Sequence, residues 1–427
     1  MALDSIYFGS DFLNIYNGPW QTSPIGTSRN DDITSGLPDI NGGDNNDRIT
    51  GTGALLQLIN GGNGSDQIYG MGGQDNINGA AGNDLIEGGA GGNALLKERL
   101  SGGLGIDTLS YESSDAAVTV NMSVLTGGYV TVSGGHAQYD NVVNDFENVV
   151  GSAHNDTITG NASNNILIGL GGNDTLNGMG GNDKFDGGDG NDTLNGGDGG
   201  DQLGGGDGDD VLIGGPGFDS FRGDDGFDTV DYSSSGAGVF IRFDGSPSGG
   251  DAEGDGIDLT IEKIIGSSFR DSLQDNQLSM TLDGGAGFDT LDTRLLSYQE
   301  DNGEDVLIGG ADGDQLRCDD LSYSPSVDTI RYLNASESKP GDRDSIFMNS
   351  WDKIDLAPID ANTTVSGEQA FGWQGTSAFT GAGQLRYFAD GGALIVQGNT
   401  DTNLDTVEFE IIVRNGSLAL LATDFIL

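Results

Sequence analysis

The chain has 427 residues, with 67 Asp and Glu against 17 Lys and Arg, which gives a formal net charge of -50. This charge excludes nucleic acid and anionic membrane surfaces as partners, because both are negatively charged and would repel the chain. It also opposes compaction unless cations neutralise the carboxylates, and with 76 glycines and 35% hydrophobic residues we expect the cation-free chain to lie near the boundary of disorder.

Residues 1–25 are predicted to form an N-terminal cap. Their opening stretch, MALDSIYFGSDFLNIYNG, has no basic segment, and Asp4 and Asp11 interrupt its apolar residues, so we expect no cleavable signal peptide. No window approaches the roughly 18 apolar residues of a membrane span. The single cysteine, Cys318, excludes an intrachain disulfide. Stability outside a cell would therefore have to come from another source.

A nine-residue repeat occupies residues 26–110 with interruptions. Its rows open with glycine, carry Asp at the sixth position and an apolar residue at the eighth, as in GGNGSDQIY from Gly61. The segments GTGALLQLIN and KERLS interrupt the register. Asn93 replaces one sixth-position Asp, which should weaken the neighbouring sites. We predict that residues 26–110 form the first repeat block.

Residues 111–150 break the repeat, and residues 232–265 break it again further along the chain. The two segments begin and end with similar sequences, DTLSY and DTVDY at the start and NVVGS and KIIGS at the end. Both contain alternating apolar residues, which favour β-strands: Val118, Val120 and Met122 in the first, and Val239, Ile241 and Phe243 in the second. We interpret the two segments as one duplicated β insert.

The repeat is most regular in residues 151–231, where nine rows follow without a gap. Every row opens with Gly, the sixth position is Asp in all rows except the one with Asn165, and the eighth position is always apolar. Low-complexity sequence does not keep such a register over 81 residues. The pattern is G-G-x-G-x-D-x-U-x, which is typical of parallel β-helices that bind calcium.

The spacing of each row predicts its fold. Glycine permits backbone angles closed to other residues, so each row turns in its first half, whereas the D-x-U half is short and extended with the eighth side chain inside. Two rows then form one turn of a flattened coil, and residues eighteen apart stack at about 4.8 Å. We therefore predict an all-β fold, a right-handed parallel β-roll or β-helix of nonapeptide repeats with β inserts.

This stacking places sixth-position carboxylates such as Asp174 and Asp192 side by side, where they repel each other unless a cation lies between them. The glycine turns direct backbone carbonyls at the same gap. A loose cage of hard oxygen ligands favours Ca²⁺ over the smaller and strictly octahedral Mg²⁺. Seven inter-turn gaps, from Asp156–Asp174 to Asp210–Asp228, are predicted, and we expect a calcium ion in most of them.

The predicted calcium ligands of the central block and of the two flanking blocks comprise a set of carboxylates and of turn glycines. They are Asp156, Gly172, Asp174, Gly181, Asp183, Gly188, Gly190, Asp192, Gly197, Gly199, Asp201, Gly206, Gly208, Asp210, Asp219 and Asp228 in the centre, with Asp66, Asp75, Asp84, Asp107, Asp271 and Asp289 outside it.

The second insert contains an EF-hand-like spacing in DAEGDGIDLTIE. Its residues Asp251, Glu253, Asp255, Gly256 and Glu262 occupy loop positions one, three, five, six and twelve. The flanking residues are strand-like rather than helical, and Glu253 is unusual at its position. A solvated loop is the favoured interpretation, and calcium binding within this loop is the alternative.

The rows return less regularly in residues 266–317, the third predicted block, and residues 318–427 follow as a C-terminal domain. The rows resemble those of the RTX proteins that Gram-negative bacteria export by type I secretion. The tail resembles the C-terminal domain of serralysin-type metalloproteases, through DTIRYLNASESKPGDRDSIFMNSWDKIDLAPIDAN, FTGAGQLRYFADGGALIVQGNTDTNLDTVEFEIIV and LLATDFIL. The matched segments span about residues 26–427.

The resemblance implies a secreted protein whose uncleaved C-terminal segment addresses it to the type I secretion machinery. It also implies that the protein folds outside the cell on binding several calcium ions. The family often has a D-x-N-G-D-G turn, whereas this chain has Asp401, Asn403, Leu404, Asp405 and Thr406. A plain polar turn is therefore favoured there over a bound ion.

Catalytic motifs are missing from the sequence. The zinc-protease motif H-E-x-x-H is absent, since His136 is followed by AQY and His154 by NDT, and no G-x-S-x-G occurs. A glycan-active β-helix with paired carboxylates stays open, because acids in surplus do not single out one pair.

We therefore predict an extracellular, non-enzymatic calcium-binding protein that has a structural, surface-layer, matrix, filament or adhesive role. The expected partners are further copies of the chain, extracellular polysaccharide or the cell surface. The alternative is a polysaccharide-active enzyme or a carbohydrate-binding factor with an unrecognised site in the first 25 residues or the inserts.

Overall fold

The computed structural model describes residues 13–16, 30–52, 56–91, 97–243, 247–276, 278–293, 305–309, 315–318, 329–331, 344–348, 353–355, 372–374, 377–378, 384–390, 393–399, 409–413 and 425–426. The chain divides into two compact units, residues 1–213 with 223–226, and residues 214–222 with 227–427. Helical structure in the described ranges is confined to two short 3₁₀ turns, Gly135–Ala137 and Gly250–Ala252. No helix in these ranges has the length and hydropathy needed to cross a bilayer.

The first unit contains two long sheets whose strands come alternately from successive rows. In one sheet all strands are parallel: Leu13–Tyr16, Asp31–Thr34, Arg48–Thr50, Gln67–Tyr69, Leu85–Glu87, Thr108–Ser110, Asn148–Val150, Ile166–Gly171, Lys184–Asp189 and Gln202–Asp207. The other sheet contains Asp39–Asp44, Leu58–Asn63, Asn76–Ala81, Glu98–Leu104, Asp140–Val143, Thr157–Thr159, Thr175–Gly180, Thr193–Asp198 and Val211–Ile213. A short parallel pair, Gly72–Gly73 and Ala90–Gly91, lies at a turn.

The first insert adds an antiparallel hairpin to the second of these sheets. Strand Thr119–Thr126 pairs with Tyr129–Ser133, which in turn pairs antiparallel with Asp140–Val143. Thr119–Thr126 also pairs parallel with Thr157–Thr159, so the hairpin continues the sheet between the insert strand Asp140–Val143 and a repeat strand. The predicted β character of this insert is confirmed.

The second unit continues the parallel arrangement and ends in antiparallel strands. One sheet contains Thr229–Asp231, Lys263–Ile265, Thr281–Asp283, Val306–Ile308, Thr329–Arg331, Lys353–Asp355 and Phe425–Ile426. The other contains Phe240–Ile241, Ser272–Gln274, Thr290–Asp292, Gln315–Cys318, Asp344–Met348, Phe409–Val413, Ala393–Asn399, Gln384–Asp390 and Gly372–Trp373. Strand Ser220–Asp225 begins by pairing with Gly256–Ile257.

Strand register confirms the eighteen-residue turn. Leu176 is paired with Leu194, and Leu167 with Phe185, each exactly two rows later in the parallel sheets. The eighth-position side chains are all buried: Ile158, Leu167, Leu176, Phe185, Leu194, Leu203, Leu212, Phe221 and Val230. Because each row contributes one apolar side chain, the core is a narrow column that only the neighbouring turns can complete. The fold is a parallel β-roll, as predicted.

Candidate metal sites

Sixth-position side chains form ladders in which each carboxylate contacts the backbone of the previous turn. The N–H of Asp156 donates to Oδ1 of Asp174 at 2.6 Å, that of Asp174 to Asp192 at 2.7 Å, and that of Asp192 to Asp210 at 2.7 Å. The same bond, at 2.7 or 2.8 Å, joins further pairs: Asp31–Asp47, Asp47–Asp66, Asp66–Asp84, Asp84–Asp107, Asn165–Asp183, Asp183–Asp201 and Asp271–Asp289. The structure thus brings together the predicted pairs of stacked acids in these turns.

The second oxygen of many ladder carboxylates lacks a donor. In each of these residues the side chain is no more than 2% exposed, and its Oδ2 accepts no hydrogen bond from the described residues: Asp47, Asp66, Asp75, Asp84, Asp107, Asp174, Asp183 and Asp192. A buried carboxylate oxygen without a partner is strongly unfavourable. A periodic series of such oxygens fits a bound cation in each gap.

Glycines leave space around these oxygens for two separate reasons. A Cβ added to the row-opening Gly187 would meet Oδ2 of Asp192 and the carbonyl oxygen of Gly205, one turn later. Further into the row the requirement is conformational, since φ is 108° at Gly188 and 133° at Gly190. All eight predicted glycine ligands have positive φ, namely Gly172, Gly181, Gly188, Gly190, Gly197, Gly199, Gly206 and Gly208.

The electrostatic environment of the gaps also favours a bound cation. Burial, with smaller contributions from the Asp192 and Asp156 carboxylates, raises the pKa of Asp174 to about 7, although the Asp156 N–H acts in the opposite direction. Burial likewise raises the pKa of Asp84 to about 7 and that of Asp183 to about 6. Carboxyls that resist ionisation in this way are in an environment short of positive charge.

The ligands of one ion would come from several parts of the backbone. Among the described residues, no three His, Cys, Asp or Glu side chains converge on a point. An ion between Asp174 and Asp192 would therefore draw on main-chain carbonyls as well as carboxylates, and such mixed oxygen sets suit Ca²⁺. The residues present fit calcium.

In two of the described turns an amide side chain replaces the carboxylate and donates hydrogen bonds of its own. Gln57 stands at a sixth position, and its Nε2 donates to the carbonyl oxygens of Ser35 at 3.0 Å and Leu37 at 2.9 Å. Asn165 donates through Nδ2 to the carbonyl oxygen of Glu147 at 2.6 Å. An amide NH₂ group therefore occupies the place of a cation in these turns.

The first row after each insert satisfies its Asp with a serine. The N–H of Ser152 donates to Oδ2 of Asp156, and its hydroxyl donates to Oδ1 at 2.9 Å. Ser267 makes the same two bonds to Asp271, at 2.6 and 2.8 Å. Both aspartates were predicted as calcium ligands, and the structure gives both carboxylate oxygens of each a donor from the protein itself.

A tyrosine stands in the row-opening position at the start of each insert. The Tyr111 hydroxyl donates to Oδ2 of Asp140 at 3.1 Å, and the Tyr232 hydroxyl donates to Oδ2 of Asp255 at 2.8 Å. Both phenols are buried, and burial raises the pKa of each well above its usual value. The two inserts thus begin with the same Tyr–Asp contact.

The favoured interpretation of DAEGDGIDLTIE as a solvated loop is wrong for two of its acids. Asp255 is 4% exposed, and its Oδ1 accepts a hydrogen bond from the Asp219 N–H at 2.8 Å. Glu262 accepts from the Asp228 N–H at 2.8 Å. These two residues are ladder members, so the EF-hand-like spacing arises from the repeat geometry.

In the first block, the two segments that were predicted to interrupt the nine-residue register each supply a sixth-position residue instead. Leu100 pairs with Ile77, which places Glu98 of KERLS at the sixth position beside Asp75, and Gln57 of GTGALLQLIN likewise keeps the register. Asn93 lies outside the described residues. A simpler signal, an acid or amide two residues before a buried or half-buried apolar residue, would have found the missed ladder members: Asp47, Gln57, Glu98, Asp140, Glu147, Asp255, Glu262 and Asp305.

A second ladder, also missed, is built from asparagines at the fifth position. The Asn173 N–H donates to Oδ1 of Asn155 at 3.0 Å, and the Asn191 N–H to Oδ1 of Asn173 at 3.1 Å. The even rows repeat this from Asn182 to Asn164 at 2.8 Å. These bonds run from later rows to earlier ones, opposite to the aspartate ladder, and need no ion.

The remaining predicted carboxylate ligands, Asp201, Asp210, Asp219, Asp228 and Asp289, are all buried. The turn at residues 401–406 lies outside the described residues. The assignment of individual side chains as calcium ligands stays a prediction.

Comparison with known families agrees with this geometry. The model of the RTX calcium-binding nonapeptide repeat matches four times, at residues 60–95, 144–176, 168–203 and 204–234. The chain carries RTX calcium-binding repeats. These RTX matches cover part of the first block and the whole of the central block.

Two solved structures are similar to parts of the chain. One is the AlgE6R3 subunit of the Azotobacter vinelandii mannuronan C5-epimerase, with 24% identity, coverage of 38% of this chain and 80% of that one, and a TM-score of 0.26. The other is the extracellular lipase LipA from Serratia marcescens, with 16% identity, coverage of 66% and 39%, and a TM-score of 0.26. No curated protein matches the chain significantly.

Proposed function

We propose that the protein is a secreted, non-enzymatic calcium-binding protein that folds on reaching calcium outside the cell and serves a structural, matrix, surface-layer, filament or adhesive role. The observation that carries this proposal is the series of buried, donor-free Oδ2 atoms, exemplified by Asp174 and Asp192. Such a series is unfavourable in a metal-free chain and is satisfied by cations. Folding and ion binding would therefore be linked.

Calcium would supply positive charge and a flexible set of oxygen coordination positions in each gap. The sixth-position carboxylates and the glycine-turn carbonyls of this chain would bind and orient it. The chain has a net charge of -50 and a core that is one side chain wide. Without cations it therefore lacks other means to offset the repulsion between its carboxylates and the conformational entropy lost on folding.

Export in an unfolded state follows from the same linkage. Where free calcium is scarce, the repelling carboxylates would keep the chain extended enough to thread a secretion channel. Extracellular calcium of about 10⁻⁴ to 10⁻³ M matches the affinity of extracellular modules. The resemblance of the tail to a type I secretion address supports this route, and we propose that the C-terminal segment carries the address.

The folding part of the proposal is tested by circular dichroism on metal-stripped protein titrated with calcium, and with magnesium as the matched control. We expect a largely disordered spectrum that gains β signal with calcium and much less with magnesium. A chain that is already fully folded without metal would contradict the proposal.

Export and role need separate experiments. Deletion of residues 404–427 should trap the protein inside the producing cell, and continued export would contradict the proposed address. Electron microscopy of the secreted protein should show calcium-dependent particles, sheets or filaments. Turnover of an exopolysaccharide by a monomer would instead favour the alternative enzymatic function.

A further inference from the structure

An asparagine directly precedes the row-opening glycine at five places in the repeat blocks. The asparagine stands at the ninth position, and the buried glycine begins the next row: Asn41–Gly42, Asn60–Gly61, Asn78–Gly79, Asn177–Gly178 and Asn195–Gly196. All five pairs lie in strands of the second sheet of the first unit. Asparagine is thermolabile, and most so before glycine, which has no side chain to hinder attack by its backbone nitrogen on the asparagine Cγ.

The loss of such an amide needs no reactant other than water. The glycine nitrogen bonds to Cγ and closes a five-membered imide, the bond from Cγ to Nδ2 breaks, and ammonia leaves with the proton of the glycine N–H. Water then opens the imide at one of its two carbonyl carbons. Opening at Cγ gives aspartate, whereas opening at the backbone carbonyl gives isoaspartate, in which the main chain runs through Cβ and Cγ.

The folded sheet holds Asn177 in a conformation in which this ring cannot close. Ring closure requires the asparagine ψ to leave the extended region that a β-strand imposes. Asn177 pairs with Thr159 on one side and with Asn195 on the other, and its carbonyl oxygen accepts the Gly160 N–H at 2.7 Å. Its Oδ1 accepts the Met179 N–H at 3.1 Å. The strand must therefore open before this amide can be lost.

The first block protects its asparagines in the same way. Asn60 lies between Asn41 and Asn78 in the parallel sheet, and Nδ2 of Asn78 donates to Oδ1 of Asn60 at 3.0 Å. A reaction that proceeds only from the opened strand is slowed by the free energy needed to open it.

We propose that these five Asn–Gly bonds are sites of spontaneous deamidation that the calcium-bound roll protects, and that only the aspartate product is compatible with refolding. Calcium then sets the chemical lifetime of the protein as well as its fold. The proposal rests on the proposed function only for the statement that calcium keeps the strands closed.

Aspartate already occurs at the ninth position before a row-opening glycine. Asp186 precedes Gly187 within the strand Lys184–Asp189, and Asp283 precedes Gly284 at the end of the strand Thr281–Asp283. Conversion of an asparagine to aspartate adds one negative charge at the outer face and leaves the length of the main chain unchanged. The roll therefore accommodates this product.

Isoaspartate lengthens the main chain by one carbon at a place that is closely packed. A Cβ added to Gly178 would meet Oδ2 of Asp183 and the carbonyl oxygen of Gly196. Beyond this glycine the strand stays in register with the next turn, with Met179 paired to Gly197. An additional backbone atom before Gly178 displaces the glycine from the acid-lined gap and moves the residues that follow out of register.

The test follows modification of the full-length chain at mildly alkaline pH in three solutions: saturating calcium, chelator, and chelator with urea. Peptide mapping by mass spectrometry locates each lost amide, and electron-transfer fragmentation distinguishes isoaspartate from aspartate. We expect modification at the five sites to be at least about tenfold slower in calcium than in chelator. After return to calcium, size-exclusion chromatography should place aspartate in the refolded fraction and isoaspartate mainly in the unfolded one.

The variant Asn177→Gln with Asn195→Gln removes two of the sites without removing the amides. Glutamine closes a six-membered imide far more slowly, and Gln274 already stands at a ninth position. After storage in chelator, this variant should retain a larger refoldable fraction than the unchanged chain. The control Asn144→Gln, at an exposed asparagine followed by Asp145, should retain the same fraction as the unchanged chain.

The outcomes separate this proposal from the proposed function. Equal modification rates with and without calcium, in a chain whose circular dichroism changes with calcium, would overturn the proposal and leave calcium-dependent folding intact. Equal shares of isoaspartate in the refolded and unfolded fractions would also overturn it. A chain that is folded and unmodified in chelator would contradict the proposed function instead. In that case the urea solution decides, because isoaspartate formed there and then excluded from the refolded fraction supports the proposal.

Discussion

The sixth-position carboxylates of the central rows differ from those next to the inserts in the hydrogen-bond donors that their two oxygens receive. In the rows around Asp174 and Asp192, each carboxylate has one oxygen on a backbone N–H and the other without a donor. At Asp156, after the first insert, Ser152 supplies donors to both oxygens. The fold and register are the same in both places, so the difference lies in one side chain near the start of the row.

This comparison separates turns that depend on a cation from turns that do not. A serine at the second position of the row makes a turn independent of calcium, as at Asp156. Where that position holds a residue without a side-chain donor, as Leu170 does in the row of Asp174, the carboxylate is left to an ion. The chain would then consist of cation-dependent blocks bounded by turns that the protein closes itself.

The largest effect is expected from protonation, because it acts on many gaps at once. In the metal-free chain the pKa of Asp66, Asp75 and Asp183 is raised to about 6 and that of Asp84 and Asp174 to about 7, in each case mainly by burial. A carboxyl whose folded pKa exceeds its unfolded pKa stabilises the fold at low pH and loses that contribution as the pH rises through the folded value.

We therefore expect metal-stripped protein to gain β structure as the pH falls from about 8 to about 5. Circular dichroism in metal-free buffer measures this gain. Calcium-loaded protein is the control and should lose ions over the same range, because protons compete for the carboxylates. A metal-free β signal that grows with rising pH would contradict the assignment.

Replacement of a carboxylate shared by two gaps should have the next largest effect. Asp192→Ala removes the side chain that lies between Asp174 and Asp210, so we expect loss of bound calcium and at least about a tenfold increase in the calcium needed for half-maximal folding. Asp156→Ala is the matched control, because Ser152 already satisfies that carboxylate. Equal ion loss in the two variants, measured by calorimetry, would remove the distinction between the two kinds of turn.

The apolar column should affect stability without affecting ion number. Leu194 is fully buried and pairs with Leu176. Leu194→Ala should lower the free energy of unfolding in calcium by about 2–5 kcal/mol through the cavity it creates. Denaturant titration gives the stability and mass spectrometry the ion count, and a lost ion would argue against the division between core and ligand positions.

A smaller effect on stability is expected at the start of the second insert, where Tyr232 contacts Asp255. Tyr232→Phe removes the donor to Asp255 and should cost about 1–3 kcal/mol, with no change in bound calcium at saturation. Tyr139→Phe, at a residue that is 40% exposed, is the control and should be close to neutral. A change in ion number in Tyr232→Phe would mean that this junction also needs a cation.

The smallest expected effect concerns backbone conformation in a cation-dependent row. Met179 has φ of 78° and is exposed, and it stands where Gly188 and Gly197 stand in later rows. Met179→Gly should stabilise the calcium-bound protein by about 0.5–1 kcal/mol, because the left-handed conformation no longer carries a Cβ. Met179→Ala keeps the strain and should not stabilise, and thermal unfolding distinguishes the two variants.

The fold and the repeated gaps could be predicted from the sequence because their cause is local and periodic. A nine-residue register fixes which side chain enters the core and which carboxylate stacks on the next turn, as with Leu194 and Asp192. A single row would have been weak evidence for the β-roll, whereas nine consecutive rows permit only one arrangement of turns and strands.

The junctions were decided by tertiary structure. Tyr111 and Asp140 are 29 residues apart, and Glu98 reaches Asp140 only because the insert returns to the sheet in a particular register. These pairs have no fixed spacing in the sequence, because the segment between the two residues can vary in length as long as its two ends lie on adjacent strands. The sequence by itself therefore determined the period, the core and the acid-lined gaps. The serine donors are local as well, since Ser152 is four residues from Asp156. The Tyr111–Asp140 and Tyr232–Asp255 contacts, in contrast, join residues that are distant in the chain and that only the folded sheet brings together.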